Sequence, residues 1–225
     1  KIVGPGNKWV QAAKKNVSGD YVGIDSIAGP SEVLIIANEE ANPAWVAADM
    51  LSQAEHAADS SAVVVTDSQG FAKEVLNELQ KQVAELPRAE AAKESLKQLS
   101  AIVVVDDMNQ AVEMANDFAP EHLEVQCGGQ SREIAEQINN AGAIFIGSYS
   151  PVAVGDYWAG PSHTLPTGTR AKFASALTSN DFLKSISIIE YDQDMLAAST
   201  DDIARLAEVE GLDAHARSVR IRQQG

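Results

Sequence analysis

Glu32-Val33-Leu34-Ile35-Ile36 and Ala62-Val63-Val64-Val65-Thr66 decide the fold class of this chain. Both runs are short, rich in β-branched residues and apolar at successive positions. A strand with one wet face alternates apolar and polar residues, so strands like these must be covered on both faces. Similar runs at 21–24, 101–105, 123–126 and 143–146 read as further strands. Between them lie stretches of helical period at 43–53, 69–84, 89–99, 108–118 and 131–138. Met108, Val112, Ala115 and Phe118 illustrate the spacing, with apolar side chains three or four apart as for a helix lying on a sheet. Strands alternating with helices predict an α/β layered domain with a mostly parallel sheet and flanking helices.

Two regions break the alternation. Residues 147–170 form a long stretch rich in Gly, Pro and Ser without a clear period, and loops of such length in compact domains tend to be functional. Beyond residue 181 a possible strand at 185–189 leads into helical sequence from Asp192, which predicts a small helical C-terminal tail. Lys1-Ile2-Val3 reads as a strand entering the Gly4-Pro5-Gly6 turn, with no initiator Met, so a fragment is expected.

The chain has 225 residues and a formal charge of -15, with 17 basic against 32 acidic side chains. That balance argues against nucleic acid or an anionic membrane as a partner, because phosphate is bound with Lys and Arg. No apolar run is long enough to span a bilayer. The single cysteine, Cys127, excludes an internal disulfide framework and fits a reducing cytoplasm.

The four histidines each adjoin a carboxylate or a Gly/Pro turn. His56 closes Ser52-Gln53-Ala54-Glu55-His56 at a helix end. With helical geometry Gln53 and His56 share a side, as a two-ligand metal platform or simply as a solvated terminus. Glu121 and His122 follow Pro120 at a helix-to-strand junction, where they supply two acid/base groups or form an exposed polar turn. Asp156 and His163 lie in the 147–170 stretch, and His215 follows Glu210 in the tail. Gly4-Pro5-Gly6-Asn7 precedes a helix, a setting in which backbone N–H groups meet phosphate, although it lacks the full dinucleotide fingerprint.

Taken together and in order, these segments resemble the histidinol dehydrogenase family. The likeness rests on Gly4-Pro5-Gly6-Asn7, Ala28-Gly29-Pro30-Ser31-Glu32-Val33, Leu51-Ser52-Gln53-Ala54-Glu55-His56 and Pro120-Glu121-His122-Leu123. Gly155-Asp156-Tyr157, His163-Thr164-Leu165-Pro166-Thr167 and Leu212-Asp213-Ala214-His215 complete it. The resemblance covers nearly the whole chain and corresponds to the C-terminal portion of the family, with the N-terminal half absent.

The resemblance implies a zinc- and NAD-dependent enzyme of histidine biosynthesis that oxidises L-histidinol to L-histidine in two steps through the aldehyde. It implies Gln53, His56, Asp156 and His215 as zinc ligands, with His215 reaching the site from the other subunit of a homodimer. Ser31 and Glu210 are implied as substrate contacts, along with the zinc ligands and His122. Glu121 and His122 are the implied acid/base pair, Asn7 a contact to NAD, and His163 a neighbour of the substrate. The expected organisation is 1–31 as the end of a nucleotide-binding-type subdomain, 32–180 as a partial catalytic domain, and 181–225 as a tail reaching the partner. Two other readings stand beside it: a related zinc enzyme acting on another small diol such as sulfopropanediol, and a remnant that binds metal without catalysis.

Overall fold

The computed structural model describes residues 1–87 and 89–223. Contacts divide the chain into two compact units, Lys1–Phe182 and Leu183–Gly225. In the first unit, helix α1 (Lys8–Val17) precedes strand β1 (Glu32–Ala37), helix α2 (Pro43–Ala54) and strand β2 (Ser61–Thr66). Helices α3 (Gln69–Val83) and α4 (Ala89–Leu99), strand β3 (Ala101–Val104), helix α5 (Met108–Phe118) and strand β4 (His122–Gln126) follow. Helix α6 (Ser131–Ala135), strand β5 (Ala143–Ile146) and helix α7 (Val152–Tyr157) complete it.

Among the described residues the strands form one parallel sheet in the order β3-β2-β1-β4-β5. The expected α/β class is therefore present. Alternation along each strand sends side chains to two covered faces. Val33, Ile35, Ala62 and Val64 pack with Val46, Met50, Phe71 and Val75 from α2 and α3. Leu34, Ile36, Val63, Val65, Leu123 and Val125 pack on the opposite face with Ala111, Val112 and Ala115 of α5 and Ile134 of α6. Cys127 belongs to this second layer. Its backbone N–H donates to Ser131 Oγ at 2.8 Å, and burial pushes its thiol up to about 12.

Several local expectations do not hold. Residues 21–24 make isolated bridges at Val22 and Ile24 instead of a strand, and Ile2 is the only one of the first three residues to form a bridge among those described. Residues 185–189 form no strand: Ile186, Ile188 and Ile189 are β-branched but exposed, with no neighbouring strand to pair with. The 147–170 stretch contains α7, a helix too short for its period to register. The helix read at 131–138 also stops at Ala135.

The first residues are held by charge where strand pairing is sparse. Lys14 Nζ lies 2.7 Å from Asp25 Oδ1 with both side chains almost fully buried, and it also donates to the carbonyls of Gly4 and Ser26. Gly4 N–H donates to the other Asp25 oxygen at 2.7 Å. Burial alone would raise the Asp25 pKa, but Lys14 and the Gly4 and Ser26 amides outweigh it and hold the carboxyl below its ordinary value.

In the second unit, helices α8 (Gln193–Val209) and α9 (Asp213–Arg220) form a hairpin closed on Ala204, Ala207 and Ala216. The turn uses Gly211 in the left-handed region, φ 73°, and Leu212 N–H returns to the Ala207 carbonyl at 2.8 Å. Among the described residues no helix is long and apolar enough to cross a membrane.

Removing one member of the buried ion pair strands the other charge. Lys14→Met is expected to cost about 3–5 kcal/mol in urea unfolding. A loss below about 1 kcal/mol, the range of a surface pair, would contradict the buried assignment.

Candidate active site

Strand pairing creates the site. Val33 stands opposite His122 in the β1–β4 register, which sets the Glu32 peptide beside the Glu121–His122 step. Glu32 N–H donates to Glu121 Oε2 at 3.1 Å, and the Glu32 carbonyl lies 3.1 Å from His122 Nδ1. A carbonyl oxygen can only accept, so Nδ1 carries the proton and Nε2 is left with its lone pair. Both residues are buried, with relative exposures of 6% each. The alternative of an exposed polar turn is thus excluded for this pair.

Burial dominates their ionisation. It pushes Glu121 up to about 8, assisted by the charges of Glu32 and Asp156 and opposed by the Glu32 amide and the Ser31 hydroxyl. Burial likewise lowers the His122 pKa, partly offset by its bond to the Glu32 carbonyl and the charge of Asp156. At neutral pH the structure therefore holds a protonated carboxyl next to a neutral imidazole, the reverse of the ion pair that their 3.6 Å separation would suggest. A neutral imidazole is the form that can accept a proton.

His56, Asp156 and His163 all lie within electrostatic range of His122, and the Ser31 hydroxyl lies beside Glu121. Gln53 is on the last turn of α2, and His56 N–H closes a further turn onto the Gln53 carbonyl at 3.3 Å. Helix α2 itself ends at Ala54, and His56 lies in the hydrogen-bonded turn that follows it. Asp156 projects from α7, and His163 from the loop beyond it. Asp156, His163, His122 and Phe145 line a cavity of about 240 Å³, with the His122 and Phe145 rings 6.1 Å apart.

Glu210 and His215 belong to the second unit, where Glu210 follows α8 and His215 is exposed on α9. Asn7 caps α1: its side-chain oxygen accepts from Trp9 and Val10 N–H at 3.0 and 3.2 Å. That leaves the Asn7 amide nitrogen to meet an acceptor at the N-terminus of a ten-residue helix.

The residues present fit a metal ion in their chemistry. Gln53 is 2% exposed, and its amide nitrogen finds no hydrogen-bond partner among the described residues. Amide oxygen and nitrogen exchange places by rotation, so this buried group can turn its oxygen to a cation. With the His56 imidazole and Asp156 carboxylate it makes a mixed N/O set of the type borderline divalent ions accept. No three His, Cys, Asp or Glu side chains among the described residues already form such a group. The set on this unit counts only two of those types.

Sequence reading missed Glu32, whose contribution to Glu121 and His122 comes from its backbone and leaves no trace in residue type. Its carboxylate accepts from Gly168 N–H at 2.9 Å, which ties the 165–168 loop to the site. Also missed were Phe145 and a polar set below His122, formed by Asp49, Glu124 and Gln126. Strict alternation of His122, Glu124 and Gln126 with apolar Leu123 and Val125 was the available signal.

The sequence profile of the histidinol dehydrogenase family matches residues 1–223. The chain belongs to the histidinol dehydrogenase family. It is 50% identical over 222 residues to histidinol dehydrogenase of Heliobacterium mobile, covering 99% of this chain and 52% of that protein. The crystal structure of histidinol dehydrogenase from Elizabethkingia anophelis superposes with a TM-score of 0.91 at 38% identity, over 99% of this chain and 51% of that one. An acetylating aldehyde dehydrogenase from Geobacillus thermoglucosidasius matches at a TM-score of 0.54 and 17% identity, over 85% of this chain and 57% of that one, a likeness of fold alone. The chain thus spans about half the length of the relatives it matches.

The ionisation of Glu121 has a thermodynamic signature. Folded, it keeps its proton to about pH 8, whereas its ordinary value is 4.5. The stability linked to that proton is full below 4.5 and is lost as pH rises through about 8. Glu121→Gln lacks this loss, so the urea midpoint of the metal-free variant should gain on wild type from about pH 5 to about pH 9. Parallel pH curves for the two proteins would contradict a raised pKa at Glu121.

Proposed function

We propose that this chain supplies the metal- and substrate-binding half of a histidinol dehydrogenase, an oxidoreductase that converts L-histidinol to L-histidine with NAD and zinc. The observation that carries the reading is the buried Glu121–His122 pair, held by the Glu32 peptide beside Ser31, His56, Asp156 and His163. Zinc, when bound, would hold the substrate's amine and imidazole nitrogens and favour ionised carboxylates nearby, while NAD would accept hydride at both oxidations.

Gln53, His56 and Asp156 would be the metal ligands from this unit, with His215 contributed by the tail of a partner subunit in a homodimer. Ser31 and Glu210 would contact the substrate, and Asn7 the NAD. His122 takes the hydroxyl proton through Nε2 as the alcohol carbon is oxidised. Its Nδ1–H, fixed on the Glu32 carbonyl, keeps the ring oriented and stabilises the imidazolium that results. In the second oxidation a water must add to the aldehyde, and the ionised Glu121 carboxylate takes its proton. The Glu32 N–H, bonded to Glu121, orients that carboxylate. Oxidation in a reducing cytoplasm suits the single buried thiol.

The test pairs metal analysis with turnover. The full-length protein should bind about one zinc per chain as a dimer, and His56→Ala should lose it. His122→Ala should keep the metal while histidinol-dependent NADH formation falls by about 10²–10⁴-fold. Zinc that survives His56→Ala would overturn the ligand set, and turnover of another diol in preference to histidinol would overturn the substrate.

A further inference from the structure

Below His122, two buried polar side chains on the same face of β4 meet the half-buried Asp49 of α2, with no part in the chemistry above. Glu124 is 1% exposed and Gln126 2% exposed in the middle of the sheet. Gln126 Nε2 donates to Asp49 Oδ2 and to Glu124 Oε2, both at 2.8 Å. Glu124 Oε1 accepts from Val152 N–H at 3.0 Å, so the Gln126 amide bridges the Asp49 and Glu124 carboxyls while Val152 holds Glu124 from its other oxygen. Two carboxyls drawn to one amide donor repel each other when both are ionised, which favours a proton on one of them. Burial, followed by the charge of Asp49, raises the Glu124 pKa in support of that state.

Burying such groups in a sheet centre is costly, and apolar residues would pack there more cheaply. Their connections explain their presence. Asp49 sits on α2 one turn before Gln53, so both lie along one side of that helix. Val152 opens α7, the helix that bears Asp156 one turn later. Gly155 sets α7 directly on β5, because a Cβ there would meet the Phe145 ring at 2.7 Å. We propose that Asp49 and Glu124 are a positioning pair: the Gln126 amide they share and the Val152 N–H lock α2, with Gln53 and His56, to α7, with Asp156, across strand β4. The pair fixes the spacing of the three metal-binding side chains without touching the metal. The inference rests on the ligand set proposed above.

Zinc affinity of the full-length protein, measured by chelator competition, tests it alongside thermal unfolding. Glu124→Ala should weaken zinc binding by about tenfold or more, the range for groups that orient ligands. Glu124→Gln, whose amide oxygen can still accept from Val152 N–H, should recover most of that affinity. Val125→Ala, on the other face of the same strand, should lower the melting temperature without that loss. If Glu124→Ala does not fold, Asp49→Ala removes the same bridge from the helix side. Equal zinc affinity in Glu124→Ala and Val125→Ala at matched stability, with His56→Ala still losing metal, would overturn the positioning role and leave the ligand set standing. Zinc retained in His56→Ala would overturn the ligand set, and this inference with it.

Discussion

The Glu32 peptide is the point on which the site depends. Its N–H binds the Glu121 carboxyl and its C=O binds the His122 ring, so one unit of β1 backbone satisfies two consecutive side chains of β4 that would otherwise be buried without partners. The pairing works because the β1–β4 register places Val33 opposite His122. A slip of one residue would turn His122 and Glu124 to the α5 face and bring Leu123 and Val125 into the cavity. Register here is therefore a chemical requirement as well as a packing one.

The site lies at the amino ends of β1 and β4, next to where strand order reverses in the sequence β3-β2-β1-β4-β5. Open α/β sheets commonly bind ligands at the carboxyl ends of such a reversal. The difference follows from what returns to the amino end. Helix α2 delivers Gln53 and His56 there from its C-terminal turn, and α7 delivers Asp156, while loop 165–168 closes on Glu32.

Much of the fold was legible because strands covered on both faces have an unmistakable composition. Glu32-Val33-Leu34-Ile35-Ile36 could hardly be anything else, whereas strand order and register came only with the structure. Residues 21–24 and 185–189 have similar β-branched content, yet a strand needs a neighbour to satisfy its backbone, and composition cannot supply one. In the site, Glu121 and His122 were visible as residue types but looked as much like surface as like machinery until their burial was known. Family likeness singled them out. Glu32 stayed hidden because peptide groups are the same at every residue. The Asp49–Glu124 link joins positions distant in sequence, although Glu124 itself interrupts an apolar strand visibly enough to have raised the question.

Cys127, wedged between the sheet and α6, has a use unrelated to catalysis. It is the only thiol in the chain, fully shielded by the layer of Leu34, Ile36 and Val125, and burial keeps it in the unreactive protonated form. An alkylating reagent can reach it only when β4 and α6 separate. The rate of its modification thus reads the opening of the α5–α6 face against a silent background. A cysteine introduced elsewhere in the chain would carry a label alone.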